Sequence, residues 1–469
     1  MSLQDKMFQE LKDKTIFDQA RSYAYAYADG IPKMEVFPSK ENLEKLQNFD
    51  EGFPIGQTSA QEIIGQLHQY GSPNTIAQTG GRYFGFVNGG AIPASVAAKW
   101  LSDFWDQNGG LYLTSPLNAK LESICEAWLK DLFGLPKETV AGFVSGTSLA
   151  NLSALTAARY RLFKNQGWDV NEFGLNGAPK IRIIAHKQVH SSIKKTLAIL
   201  GFGQSNIEWL PSDNQGRLVL EALPELDDSC LVLLQAGNAN TGVFDDFADV
   251  CEKANKANAW VHIDGAFGLW AAATESLSYL TEGIEKATSW CTDGHKTLNT
   301  PYDSGIVLCR DSKALVSALQ ATGEYIIYSK QKDPMLFGPE MSKRSRAIEL
   351  WVTLKYLGKN GINEMVTGFY KRAKQLENGL RKSGFRVLNT VVFNQVLVAC
   401  ETDQITKLTL ENIQNSGECW CGGSTWLGEA AIRISICSWA TTEVDINKTI
   451  QVFSTSRKKA LKTIKLINT

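Results

Sequence analysis

Between residues 80 and 358, short and almost wholly apolar runs alternate with longer stretches of helical period. Runs such as Cys230-Leu-Val-Leu-Leu234 are apolar at every position, so both of their faces must be covered, as in a strand at the centre of a parallel sheet. Strands are expected at 140–144, 181–185, 231–235, 260–263, 289–292 and 305–309, with helices at 149–165, 191–200 and 246–257 between them. Before residue 80 the chain is polar with a helical period, and Gly30-Ile31-Pro32, Gly52-Phe53-Pro54 and Gly71-Ser72-Pro73 interrupt it as turn signals. Such a segment has little core of its own and is expected to wrap another part of the protein or a second subunit. After Gly358 the pattern becomes a helix at 362–383, strand-like stretches at 385–388, 391–399 and 431–436, and a closing amphipathic helix at 448–466, with Arg457-Lys458-Lys459 on a solvated face. Three units follow: an N-terminal helical segment (1–79), a large α/β domain (80–358) and a small α+β domain (359–469).

Composition narrows the class. At 469 residues the chain is longer than one hydrophobic core usually serves, and 43% apolar with 21% charged residues is ordinary for a globular protein. A net charge of -1 removes any electrostatic case for nucleic acid or an anionic membrane as partner. Nine cysteines, scattered from Cys125 to Cys437, lack paired metal-ligand spacing, so no metal site is expected and the thiols fit a reducing cytoplasm. Residues 1–19 lack the basic start and apolar run of a signal peptide, and no stretch approaches the length that crosses a bilayer. A cytoplasmic location is expected.

Four strings carry candidate chemistry. In Ser289-Trp-Cys-Thr-Asp-Gly-His-Lys-Thr-Leu298, Lys296 follows an expected strand and is flanked by Gly294, His295 and Thr297 rather than by solvated charges. Alone it reads as a surface lysine. Its chemical alternative is a Schiff base with an aldehyde cofactor, which needs the amine neutral part of the time, a form that burial near cationic groups favours. Trp260-Val-His-Ile-Asp-Gly-Ala-Phe267 shifts the balance, because it ends a strand on Asp264, in the crevice where open α/β sheets bind ligands. In enzymes that use pyridoxal 5′-phosphate (PLP), such a carboxylate pairs with the protonated pyridine nitrogen. Val144-Ser-Gly-Thr-Ser-Leu-Ala-Asn-Leu152 reads as strand, turn and helix. It offers either a phosphate site, with Thr147 and Ser148 as added donors, or simple capping by Ser148. His186-Lys-Gln-Val-His-Ser-Ser-Ile193 ends a turn on His190, whose imidazole can lie over an aromatic ring. Only five histidines occur, and His190, His262 and His295 all fall inside these strings.

Taken in order, Ser-Gly-Thr-Ser-Leu-Ala-Asn-Leu (145–152), Val-His-Ser-Ser (189–192), His-Ile-Asp-Gly-Ala (262–266) and Asp-Gly-His-Lys (293–296) resemble the group II PLP-dependent decarboxylases. That family includes the aromatic-L-amino-acid, histidine and glutamate decarboxylases. The likeness runs from Arg82-Tyr-Phe-Gly-Phe86 through 118–122 to Arg433-Ile-Ser-Ile-Cys437. It implies an α/β, aspartate aminotransferase-like fold with a mainly parallel seven-stranded sheet in a large PLP-binding domain. It also implies a homodimer embraced by the N-terminal segments, with the active site at the interface and an amino acid as substrate. By position, Lys296 would join PLP, Asp264 would meet the pyridine nitrogen, His190 would stack on the ring and Ala266 would support its other face. Thr147 and Ser148 would hold the phosphate, His295 would contact cofactor or substrate, and Thr241 would lie near the cofactor. The implied reaction releases carbon dioxide and returns a proton to Cα.

Two features depart from the family pattern. The stretch 325–334 is shorter than the mobile loop whose tyrosine often supplies that proton, which leaves Tyr328 and Tyr325 as candidates. Asp293 stands where many relatives have Asn, so a phosphate contact there turns repulsive unless the side chain points elsewhere. A transaminase or carbon-carbon lyase on the same scaffold is the rival enzyme class, and a protein that keeps PLP only structurally is the non-enzymatic one. His190 followed by two serines favours decarboxylation, while Ser145-Gly-Thr-Ser lacks the three-glycine fingerprint of a NAD-binding protein. Tyr83, Phe84, Phe86 and Trp105 are expected to line an aromatic pocket or to be core packing, and Arg433 to meet a carboxylate or anchor the small domain. The weight falls on aromatic L-amino acids, with glutamate or a diamino acid open.

Overall fold

The structure, a computed structural model, describes residues 1–321, 323 and 326–467. Seven strands form its main sheet: β1 (Val140–Val144), β2 (Arg182–His186), β3 (Ile207–Leu210), β4 (Cys230–Gln235), β5 (Trp260–Asp264), β6 (Ser289–Asp293) and β7 (Gly305–Cys309). Their order is β1-β7-β6-β5-β4-β2-β3, and only β7 runs antiparallel to its neighbours, β1 and β6.

The reason lies in the apolar runs. Every residue of β4 is buried, with Val232 and Leu234 packed into one core and Leu231 and Leu233 into the core on the opposite face. Helices cover both faces. The helix Thr147–Asn165 lies over one of them on Ala150, Ala154, Ala157 and Ala158, small residues at helical spacing that let its axis approach the strands closely. The helix Phe247–Lys256 covers the other through Phe247, Val250, Cys251 and Ala254.

A second, antiparallel sheet has the order β10-β11-β9-β8, from β8 (Arg386–Val387), β9 (Gln395–Ala399), β10 (Gly422–Trp426) and β11 (Glu429–Ser435). The helix expected at 362–383 is the second half of Ala347–Lys382, whose backbone breaks at Gly358 with φ 57°. Leu350, Leu354, Ile362 and Val366 still pack into the large core, and Phe369, Ala373, Leu376 and Leu380 into the small one, so this helix joins the two. The N-terminal helices Leu3–Asp13 and Thr15–Gly30 bury no residue. Among the described residues, no helix is long and apolar enough to cross a membrane.

Candidate active site

β1, β4, β5 and β6 all deliver their final residues to one edge of the sheet, where a cavity of about 670 Å³ opens. Its walls include Ser145 to Ser148, His190, Asp264, Ala266, Asp293, His295 and Lys296. Sequence-distant strings therefore meet because parallel strands place all their C-terminal ends on one side.

Lys296 sits in the turn after β6, and the turn is held rigidly. Gly294 N–H donates to Ser304 O (2.8 Å), Gly89 N–H donates to His295 O (3.2 Å), and a Cβ at Gly89 would lie 2.1 Å from Lys296 O. Lys296 Nζ is 3.0 Å from Asp293 Oδ2. Burial pulls the ammonium down, but Asp293 and, more weakly, Asp264 outweigh it and leave Lys296 above its ordinary value. The charged side chains that act most strongly on Lys296 are thus carboxylates, which favour the protonated amine, whereas cationic groups would have favoured the neutral one.

Asp293 does not point away. Its carboxylate accepts from Thr147 N–H (2.7 Å) and from the Thr147 hydroxyl, and His295 Nε2 lies 3.6 Å from it. Both donors expected of Thr147 for a phosphate are therefore already engaged. Ser148 keeps its side chain open to the cavity.

Asp264 accepts from Ala266 N–H (3.1 Å) on Oδ1 and from Asn151 Nδ2 (3.3 Å) on Oδ2. His190 is the N-cap of the helix Ser191–Ile199, and its Nδ1 accepts from Ser192 N–H (3.2 Å). That bond leaves the hydrogen of the neutral ring on Nε2. Desolvation lowers the His190 pKa, with Lys296 and Arg433 adding to the effect and Asp264 opposing it. His295 Nδ1 likewise accepts from Ser304 N–H (3.1 Å), and its ring stacks on Tyr302 with centroids 4.3 Å apart. Desolvation lowers its pKa as well.

An amine, a carboxylate acceptor and the N-terminus of a long helix share this cavity. The model of the pyridoxal-dependent decarboxylase conserved domain matches residues 42–399. The chain belongs to the pyridoxal-dependent decarboxylase family. It is 29% identical over 371 residues to an aromatic-L-amino-acid decarboxylase of Bacillus atrophaeus, covering 76% of this chain and 75% of that one. A tyrosine decarboxylase of Narcissus pseudonarcissus is 23% identical, with 93% of each chain covered. In fold, the chain matches Oryza sativa TDC, solved with PLP and tryptamine, at a TM-score of 0.88 with 19% identity, covering 96% and 98% of the two chains.

The cavity of this decarboxylase suits PLP on its own chemistry. A Cβ at Gly146 would sit 3.4 Å from His295 Cε1, so the glycine leaves the mouth of the helix open, and as N-cap residue it brings no side chain of its own to cap the helix. The carboxylate of Asp293, already on Thr147 N–H, opposes a phosphate at this helix N-terminus.

Some expected residues stand elsewhere. Thr241 is buried away from the cavity, where its hydroxyl donates to Gln215 O (2.7 Å) and its carbonyl accepts from Asn389 Nδ2 (2.8 Å). Tyr328 gives its hydroxyl to Ala321 O (2.6 Å) and does not line the cavity, and Tyr325 lies outside the described residues. Of the aromatic cluster only Phe86 reaches the wall: Tyr83 stacks on Trp420, Phe84 is core, and Trp105 is exposed on the helix Pro93–Trp105.

Other residues went unseen in the sequence. Asn299, at φ 60°, donates through Nδ2 to the carbonyls of Lys296, Thr297 and Cys437 and accepts on Oδ1 from Gly90 N–H and Trp439 N–H. It ties the lysine turn to both domains. Its proximity to Lys296 and the tolerance of Asn for left-handed turns were the available signal.

Proposed function

We infer that this decarboxylase removes the α-carboxylate of an L-amino acid, aromatic by preference, and that Lys296 is the residue joined to PLP. One observation carries the reading: Lys296, Asp264 and the N-terminus of Thr147–Asn165 open on the same cavity, matching the aldehyde, ring nitrogen and phosphate of the cofactor. Bound PLP supplies the electron sink that accepts the bond pair of the departing carboxylate.

The chain's own residues do the rest. Asp264 would accept a hydrogen bond from the protonated ring nitrogen, His190 would stack on the ring, Ala266 would support its other face, and Ser148 with the helix N-terminus would hold the phosphate. Lys296 Nζ and His190 Nε2, both on the cavity wall, are placed to return the proton to Cα. Asp293 holds the lysine as an ammonium whenever it is released.

Phe86, Tyr302 and Phe267 on the wall support an aromatic side chain. A second reading rests on Arg433, a half-buried guanidinium on the same wall that donates to Ala239 O (3.1 Å) and, among the described residues, has no carboxylate partner. A cation beside the α-carboxylate would stabilise the group that must leave, so its better partner is an acidic side chain. A panel of L-amino acids assayed for carbon dioxide, amine and keto acid decides both questions. Release of carbon dioxide with amine from aromatic substrates supports the first reading, selective turnover of an acidic one supports the second, and keto acid without carbon dioxide contradicts decarboxylation.

A homodimer is supported by Leu3, Met7, Phe8 and Leu11, an exposed apolar stripe along the first helix. Cytoplasmic location draws support from nine buried free thiols.

A further inference from the structure

Asn151, fully buried in the helix Thr147–Asn165, is a junction beneath the cavity. Its Nδ2 lies 3.3 Å from Asp264 Oδ2 and 3.4 Å from Ser192 Oγ, and its Oδ1 lies 2.8 Å from His262 Nε2 and 3.0 Å from Cys291 Sγ. The direction of these bonds is set at a distance. Trp260 Nε1–H is a pure donor and gives its hydrogen to Ser289 Oγ at 2.9 Å. Ser289 can then donate to His262 Nδ1 at 2.9 Å, which puts the ring hydrogen on Nε2 and aims it at Asn151 Oδ1. The amide consequently turns its NH₂ toward Asp264 and Ser192, and Ser192 passes its hydroxyl hydrogen to His190 Nδ1 at 2.8 Å.

The reverse orientation differs chemically. A hydrogen on His262 Nδ1 would turn the Asn151 carbonyl toward Asp264, an arrangement fit only for a carboxyl group that carries a proton. Ala266 N–H, donating to the same carboxylate at 3.1 Å, opposes that state. Complete burial pushes His262 down to about 4, so its ring is neutral and one of its nitrogens must accept.

The geometry points to Asn151 as a positioning residue for the cofactor. Through the one-way chain Trp260, Ser289, His262 and Asn151 it holds Asp264 as an acceptor, so that the ring nitrogen bound there must be the donor, and it holds His190 with its hydrogen on Nε2. This rests on the reading of Asp264 as the ring-nitrogen partner.

The test compares binding of PLP with that of its 1-deaza analogue, which has carbon in place of the ring nitrogen, in wild type, Asn151→Leu and Asp264→Ala. Wild type should prefer PLP, and Asn151→Leu should narrow that preference by about tenfold. A residue that merely supports the fold would weaken both ligands alike, and an unchanged ratio overturns the inference. If Asp264→Ala also leaves the ratio unchanged, the pairing of Asp264 with the ring nitrogen falls, and the inference falls with it. In wild-type holoenzyme labelled with ¹⁵N-histidine, His262 should carry its hydrogen on Nε2. A hydrogen on Nδ1 of His262 overturns the inference without any variant.

Discussion

Asp293 is where this chain sets its own terms. Its carboxylate occupies Thr147 N–H and pairs with Lys296, so it both competes for phosphate donors and keeps the lysine charged. Replacing it by Asn keeps a hydrogen-bond acceptor for Thr147 and removes the charge. We expect Asp293→Asn to tighten PLP binding by about tenfold, roughly 1.4 kcal/mol, in an absorbance titration at neutral pH. Unchanged binding would contradict the competition for phosphate, and weaker binding would show that the carboxylate helps the cofactor. The raised Lys296 pKa fixes a second sign. Only the neutral amine attacks an aldehyde, so capture of PLP by the apoprotein should accelerate with rising pH below that pKa, by up to about tenfold per unit. In Asp293→Asn the same rise should move to lower pH, and stopped-flow measurements that show a flat profile in both proteins would refute this.

At the scale of elements, the close contact between Gly89 and the lysine turn holds the site in place. With an added Cβ only 2.1 Å from Lys296 O, Gly89→Ala must shift main chain against main chain. The expected cost is about 1–3 kcal/mol in thermal unfolding, with weaker PLP retention; an unaltered melting temperature and affinity would mean the turn is free to move. The buried strands of the sheet, by contrast, were open to reading from apolar runs alone, since β1 and β7 fall at the expected residues and β4, β5 and β6 differ at one end. Two edge strands escaped notice. β3 (Ile207–Leu210) carries Glu208 and is only half buried, and β10 begins Gly-Gly-Ser, so neither has a continuous apolar signature. The four motifs brought most of the site together because each follows a strand of the sheet. Asn151 was hidden because a polar residue inside a helix gives no sign of which neighbours will surround it. Thr241 and Trp105 misled for the complementary reason: nothing local says whether such a residue faces a cavity, a carbonyl or solvent.

Across the whole molecule, the first helix leaves an apolar stripe exposed. Leu3, Met7, Phe8 and Leu11 would remain in water on an isolated chain of 51.7 kDa. Sedimentation is expected to give twice that mass, and deletion of residues 1–13 to shift the population toward monomer; a wild-type chain that sediments as a monomer at micromolar concentration would contradict the homodimer. The proposed activity depends on one covalent attachment. Reduction of the PLP-loaded protein with borohydride, followed by proteolysis and mass spectrometry, should place the phosphopyridoxyl group on Lys296. A label on another lysine, or none, would contradict it.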